Sequence, residues 1–106
     1  MTLGSFPRAV AIKTVALTST VLPIASTVIL FATSDIEAAD RAVLSTNSSN
    51  MTCVAWATTA PSPSLGHFLA QGNAPFVVNG NYNVQRIHVT SATTLASTIS
   101  ITLEKY

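Results

Sequence analysis

The cleanest pattern in the chain lies near its end. From Thr98 to Glu104 (TISITLE), within the strand-like run Ser97–Glu104, polar and apolar residues alternate strictly. A strand sends successive side chains to opposite faces, so Ile99, Ile101 and Leu103 are predicted to enter a core. Thr98, Ser100, Thr102 and Glu104 are predicted to face out. Other stretches carry the strand signature of β-branched and aromatic residues bounded by turn formers. They are Arg8–Leu17 (RAVAIKTVAL), Thr27–Ala32 (TVILFA), Ala42–Thr46 (AVLST), Thr52–Thr58 (TCVAWAT), Gly66–Ala70 (GHFLA), Pro75–Val78 (PFVV) and Val84–Thr90 (VQRIHVT). Thr27–Ala32 is apolar without a break, long enough for a buried strand and too short for a helix. In Thr52–Thr58 the alternation puts Val54 and Trp56 on one face and Cys53, Ala55 and Ala57 on the other.

Turn chemistry separates these segments. Pro23 belongs at a strand edge or break. Asn47-Ser48-Ser49-Asn50 is a polar loop, Ala60–Ser64 (APSPS) a proline-rich connector, and Gln71-Gly72-Asn73 a turn. Asn79-Gly80-Asn81 is a strong turn signal, because Asn and Gly tolerate positive φ. Only Thr33–Arg41 (TSDIEAADR) has helical character, as about one turn with Ser34 or Asp35 as its N-cap. About eight short strands with no long helix predict an all-β fold, a single-domain β-sandwich of jelly-roll type. Residues 1–13 read as an N-terminal arm or edge strand and residues 14–106 as the sandwich.

Composition changes the picture in one respect. Hydrophobic residues make up 48% of the 106-residue chain, but charged residues only 8%, against about 25% in an average protein. The chain instead holds 12 Ser and 15 Thr. So weakly charged a surface is poorly soluble as a free monomer, and is expected to be covered by copies of itself or by a partner. With a net charge of +1 and its basic residues scattered, the chain is not expected to bind nucleic acid. A single cysteine, Cys53, excludes an internal disulfide framework and a Cys-based zinc site, which suits a reducing cytoplasm. The uncharged run Thr14–Ser34 has the length of a membrane helix. Thr14, Thr18, Ser19, Thr20, Pro23, Ser26 and Thr27 dilute it, so no membrane partner is expected.

Candidate chemistry is sparse. His67 and His88 are the only imidazoles, and no ligand pair has a recognisable metal spacing, so neither metal nor cofactor is expected. His88 is read as exposed, on the strand face it shares with Arg86. No Gly-x-Ser-x-Gly elbow occurs, and Cys53, alternating with apolar neighbours, reads as an inert buried thiol. Asp35, Glu37 and Asp40 match no calcium loop and read as a solvated cluster. The sequons Asn47-Ser48-Ser49 and Asn50-Met51-Thr52 read as loop. Trp56, Phe68, Phe76, Tyr82 and Tyr106 are read as core packing rather than a sugar-stacking platform, with Tyr82 the one exposed contact residue. The chain is therefore not expected to be an enzyme. Its candidate interface residues are Arg8 and Lys13, in an arm able to add to a sheet edge, together with Tyr82 and Arg86.

The run from Asp40 to Glu104 also resembles a family. A basic residue enters an apolar strand (Arg41 to Leu44), followed by an Asn/Ser turn and a strand of small and aromatic residues (Thr52 to Thr58). Then come the Gly-containing hairpin "GHFLAQGNAPFVV", a strand ending in a Thr/Ser-rich tip (Thr90 to Thr94), and the final alternating strand. This order is similar to that of small virion proteins of tailed bacteriophages. The resemblance implies a head decoration or cement subunit, or a minor head protein, located in the virion and assembled in the host cytoplasm. It implies the major capsid protein or other virion subunits as partners, and a homo-oligomer, a trimer by preference. A receptor- or glycan-binding module of a fibre or tail, or a tail or head adaptor, is the alternative.

Overall fold

The structure, a computed structural model, describes residues 8–29, 31–56 and 66–106. In chain order the elements are β1 (Arg8–Leu17), β2 (Leu22–Pro23), α1 (Thr33–Ala38), β3 (Arg41–Ser45) and β4 (Thr52–Ala55). They continue with β5 (His67–Leu69), β6 (Phe76–Asn79), α2 (Asn81–Val84), β7 (His88–Ser91) and β8 (Ser97–Lys105). The strands form two four-stranded sheets, ordered β1-β8-β3-β6 (sheet A) and β2-β7-β4-β5 (sheet B).

The strand order has a simple origin. If the chain is doubled back between β4 and β5, β4 meets β5, β3 meets β6, β2 meets β7 and β1 meets β8, each pair antiparallel. One long two-stranded ribbon is thereby rolled up. Contacts of β8 with β3 and of β7 with β4 then complete the sheets. This is the jelly roll, and the expected β-sandwich is what the chain forms.

The core lies between the sheets. Ile99, Ile101 and Leu103 of β8 are fully buried, as their alternation predicts. Val15, Leu17, Leu44 and Val78 join them from sheet A, and Val54, Leu69 and Val89 come from sheet B. Each fully buried Leu, Ile or Val contributes roughly 1.5–3 kcal/mol.

Three expectations need correction. The described residues of the expected strand Thr27–Ala32 form no strand. The amide of Ser26 donates to the Pro23 carbonyl, and that of Ile29 donates to the Ser26 carbonyl and, at 3.3 Å, to Ser26 Oγ. A buried strand needs a ladder partner, and here local turns take the backbone first. The apolar residues are still used, because Ile29 and Phe31 are buried while Val28 faces solvent. Val84–Thr90 is a strand only from His88 onward. The Asn79-Gly80-Asn81 turn runs on into α2, with the Val84 amide donating to the Gly80 carbonyl. Finally, α1 follows Ala32, which makes no side-chain cap, instead of starting at Ser34 or Asp35. Both of those residues lie inside its first turn, where Asp35 suits the positive end of the helix.

The strand β1 runs unbroken across Lys13 and Thr14, while residues 1–7 of the expected arm and the connector Ala60–Ser64 lie outside the described residues. Among the described residues no helix is long and apolar enough to cross a membrane.

Candidate functional site

The strand registers sort the loops to two ends. At one end β1 and β3 begin and β8 finishes, with Arg8 opposite Lys105 and Arg41 opposite Glu104. Both helices pack there. The Arg41 Nε–Glu104 Oε1 ion pair is 2.5 Å long. Arg41 also donates to Tyr106 Oη at 3.3 Å and lies over that ring. The Tyr106 amide donates to Asp40 Oδ2 at 2.7 Å. The hydrogen bond to Glu104, more than any other contact, holds the Arg41 guanidinium in its charged form. Of the nine charged residues, five basic and four acidic, eight are at this end. Lys13, midway along β1, is the exception.

This charged pole is held by an asparagine. Asn81 Nδ2 donates to the carbonyls of Ile36 at 2.9 Å, Glu37 at 2.9 Å and Ala39 at 2.7 Å. One amide thus answers the orphan carbonyls where α1 ends. The approach depends on Gly80, whose φ of +90° a residue with a Cβ rarely adopts. In sequence this residue reads only as part of a turn, and its partners in α1 come from a segment about forty residues earlier.

The candidate interface residues do not converge. Tyr82, 69% exposed, belongs to α2. Arg86 stacks on one face of its ring at 3.5 Å from the centroid and donates to the Tyr82 carbonyl at 2.9 Å. Only the other face of Tyr82 is presented outward. Arg8 lies on β1, at the opposite edge of sheet A from β6, about 14 Å away at the usual strand spacing. Lys13 is further along β1.

The strand β1 has an unusual environment. By register Lys13 faces the core, opposite the fully buried Ile101, yet it is exposed, so sheet B does not cover this part of the strand. On the outer face Ile12, 61% exposed, heads a row that continues through Thr102, Val43 and Val77 across sheet A. A register shift between Ala9 and Ala11 leaves Val10 as an extra residue, also exposed.

At the other end the loops are neutral. Residues 18–20, 46–51 and 91–97 hold no Asp, Glu, Lys, Arg or His. Their own side chains tie them together. Ser91 Oγ donates to the Leu95 carbonyl at 2.6 Å and Asn50 Nδ2 to the Ala96 carbonyl at 2.6 Å. Thr46 Oγ1 donates to the Thr98 carbonyl at 2.6 Å. The Ser91 amide reaches the Thr18 carbonyl and the Ala92 amide the Met51 carbonyl. Leu95 and Met51 stand exposed on this braced surface. Because Asn50 is engaged, of the two sequons only Asn47 presents an exposed side chain.

The remaining candidates are scattered. Trp56 stacks on His67 with centroids 4.7 Å apart, and Phe76 packs against both, closing the seam between the edge strands β5 and β6. Phe68 and Tyr106 lie elsewhere and are exposed like Tyr82, which corrects the expectation that these two pack in the core, and the aromatics share no face. His88 is half-buried, with Nδ1 2.8 Å from the Arg86 carbonyl, and Arg86 is outside the strand. That corrects the expectation of an exposed His88 beside Arg86. Cys53 is fully buried, and desolvation raises its thiol above the ordinary value, with the backbone of Val54 opposing. Among the described residues no three His, Cys, Asp or Glu side chains gather as metal ligands. Comparison with protein families, curated proteins and solved structures finds no match to this chain.

Proposed function

We propose that this chain is a non-enzymatic structural subunit of a virion, a decoration or cement protein that stabilises a capsid by binding between its subunits. The segregation of charge carries the proposal. A pole free of ionisable groups loses little on being taken out of water, because removing charge from solvent is the costly part of forming an interface. Its loops are braced by their own hydroxyls, so little ordering cost remains when it docks. The jelly roll adds weight by analogy, since viral coat domains use it; lectins and cupins use it too. Partners on this reading are the major capsid protein or other virion subunits, and the location is the virion.

The test is the stoichiometry of the protein in purified virions of its source, by quantitative mass spectrometry. Hundreds of copies per particle is the expected result. A dozen or fewer would move it to a tail, fibre or adaptor position, and absence would overturn the virion reading. A glycan- or receptor-binding role is favoured by one observation, the stacked Trp56 and exposed His67 at the sandwich seam. It predicts that Trp56→Ala abolishes adsorption to host cells while the fold survives.

A further inference from the structure

We infer that β1 is a self-association edge, which pairs antiparallel with β1 of a second copy to join two A sheets across a two-fold axis. A strand at a sheet edge presents unpaired N–H and C=O groups, and protein sheets keep such edges short or blunted. Among the described residues three of the four edges are short: β2 has two residues, β5 three and β6 four. The strand β1 has ten, and β8 takes only one side of it. Lys13 and the bulge at Val10 blunt β1 in part, but it contains neither Pro nor Gly, every residue from Arg8 to Thr14 except Ala11 is exposed, and its largest exposed apolar side chain, Ile12, is 61% exposed.

The occupant follows from charge and length. The strand has two charges, both positive, Arg8 and Lys13. Parallel pairing of two copies in register sets Arg8 against Arg8 and Lys13 against Lys13, which is repulsive. Antiparallel pairing about Ile12 sends the two Arg8 residues to opposite ends and places Lys13 against Ala11. It also brings the two Ile12 side chains together on the outer face. Such pairing uses the same surface on both copies and consumes the long edge of each, so it closes at two. The contact is small. Ten residues make an edge about 34 Å long and about 10 Å deep, roughly 700 Å² over both copies. Stable pairs bury about 1,200 Å² or more. Association is therefore weak in solution and gains strength where several copies are held on one surface. This inference is independent of the virion reading, and its two-fold differs from the three-fold that the family resemblance implies.

The test is sedimentation velocity on the intact chain over about 10–500 μM, the range for so small an interface. Wild type should shift from monomer to dimer. Ile12→Lys and Ile12→Glu should each weaken dimerisation at least about tenfold, and an equimolar mixture of the two should restore it. Because Ile12 is exposed, circular dichroism should show both variants folded. Val77→Lys, on the same face at the far edge of sheet A, should dimerise like wild type, which separates edge pairing from face-to-face stacking. A monomer at every concentration, a trimer, loss of dimer in Val77→Lys, or retention of dimer in both Ile12 variants would each overturn the inference.

Discussion

At one end of the sandwich eight of the nine charged side chains crowd around two short helices; at the other, loops of Ser, Thr, Asn and Ala carry none. About nine residues of β8 separate the two, some 30 Å at strand rise. Both ends solve the same problem, satisfying backbone groups where the regular ladders stop. The charged pole does so with one amide reaching into a neighbouring helix and with the Asp40 carboxylate, which accepts from the Tyr106 amide. The neutral pole does so with many short hydroxyl bonds inside its own loops. The charged pole is thus built for solvent. The neutral one keeps its shape without charge, through bonds among its own hydroxyls, amides and carbonyls.

The comparison is broken most forcefully at Asn81. Asn81→Ala removes the two amide hydrogens that three carbonyls at the end of α1 share. It should cost about 2 kcal/mol, read as a lowered urea midpoint at unchanged slope. Amide exchange should rise in α1 while the neutral loops stay protected. A loss spread evenly over both ends would mean the poles are not separate units.

Ser91→Ala is the counterpart at the neutral pole. Its hydroxyl is fully buried and donates to Leu95. The expected cost is about 1 kcal/mol, with faster exchange confined to residues 92–96. If docking depends on the braced loop, particle binding should fall more than stability does.

The smallest effect has the opposite sign. Thr52 Oγ1 is buried without a hydrogen-bond partner among the described residues, and Ser97 Oγ likewise. Thr52→Val keeps the shape and removes an unanswered polar atom, so stability should hold or rise by up to about 1 kcal/mol. A clear loss, measured by thermal unfolding, would show that the hydroxyl has a partner that matters.

Much of this was legible in the residues themselves. Strict alternation identified the buried face of β8, because period two leaves no other reading. Turn chemistry marked where strands end, and a helical turn was visible between Thr33 and Arg41; the expected hairpin GHFLAQGNAPFVV does not form, because β5 and β6 cross from one sheet to the other. The Thr27–Ala32 run misled because hydrophobicity reports burial, and whether a buried segment is a strand depends on what ladder it finds.

Only the tertiary structure decided where things meet. That β1 pairs β8 across nearly ninety residues puts Arg8 beside Lys105 and brings Thr18 to Ser91. No local pattern encodes that, since the rolled ribbon relates residues by their distance from the fold-back, not by spacing along the chain. The two poles, the Asn81 clasp and the uncovered half of β1 all follow from this rolling. Local propensity and period are properties of a few neighbouring residues, and they set which segments are strands and which side of each is apolar. The assembly of charge and exposed edge is a property of the closed sheets, and it exists only once they form.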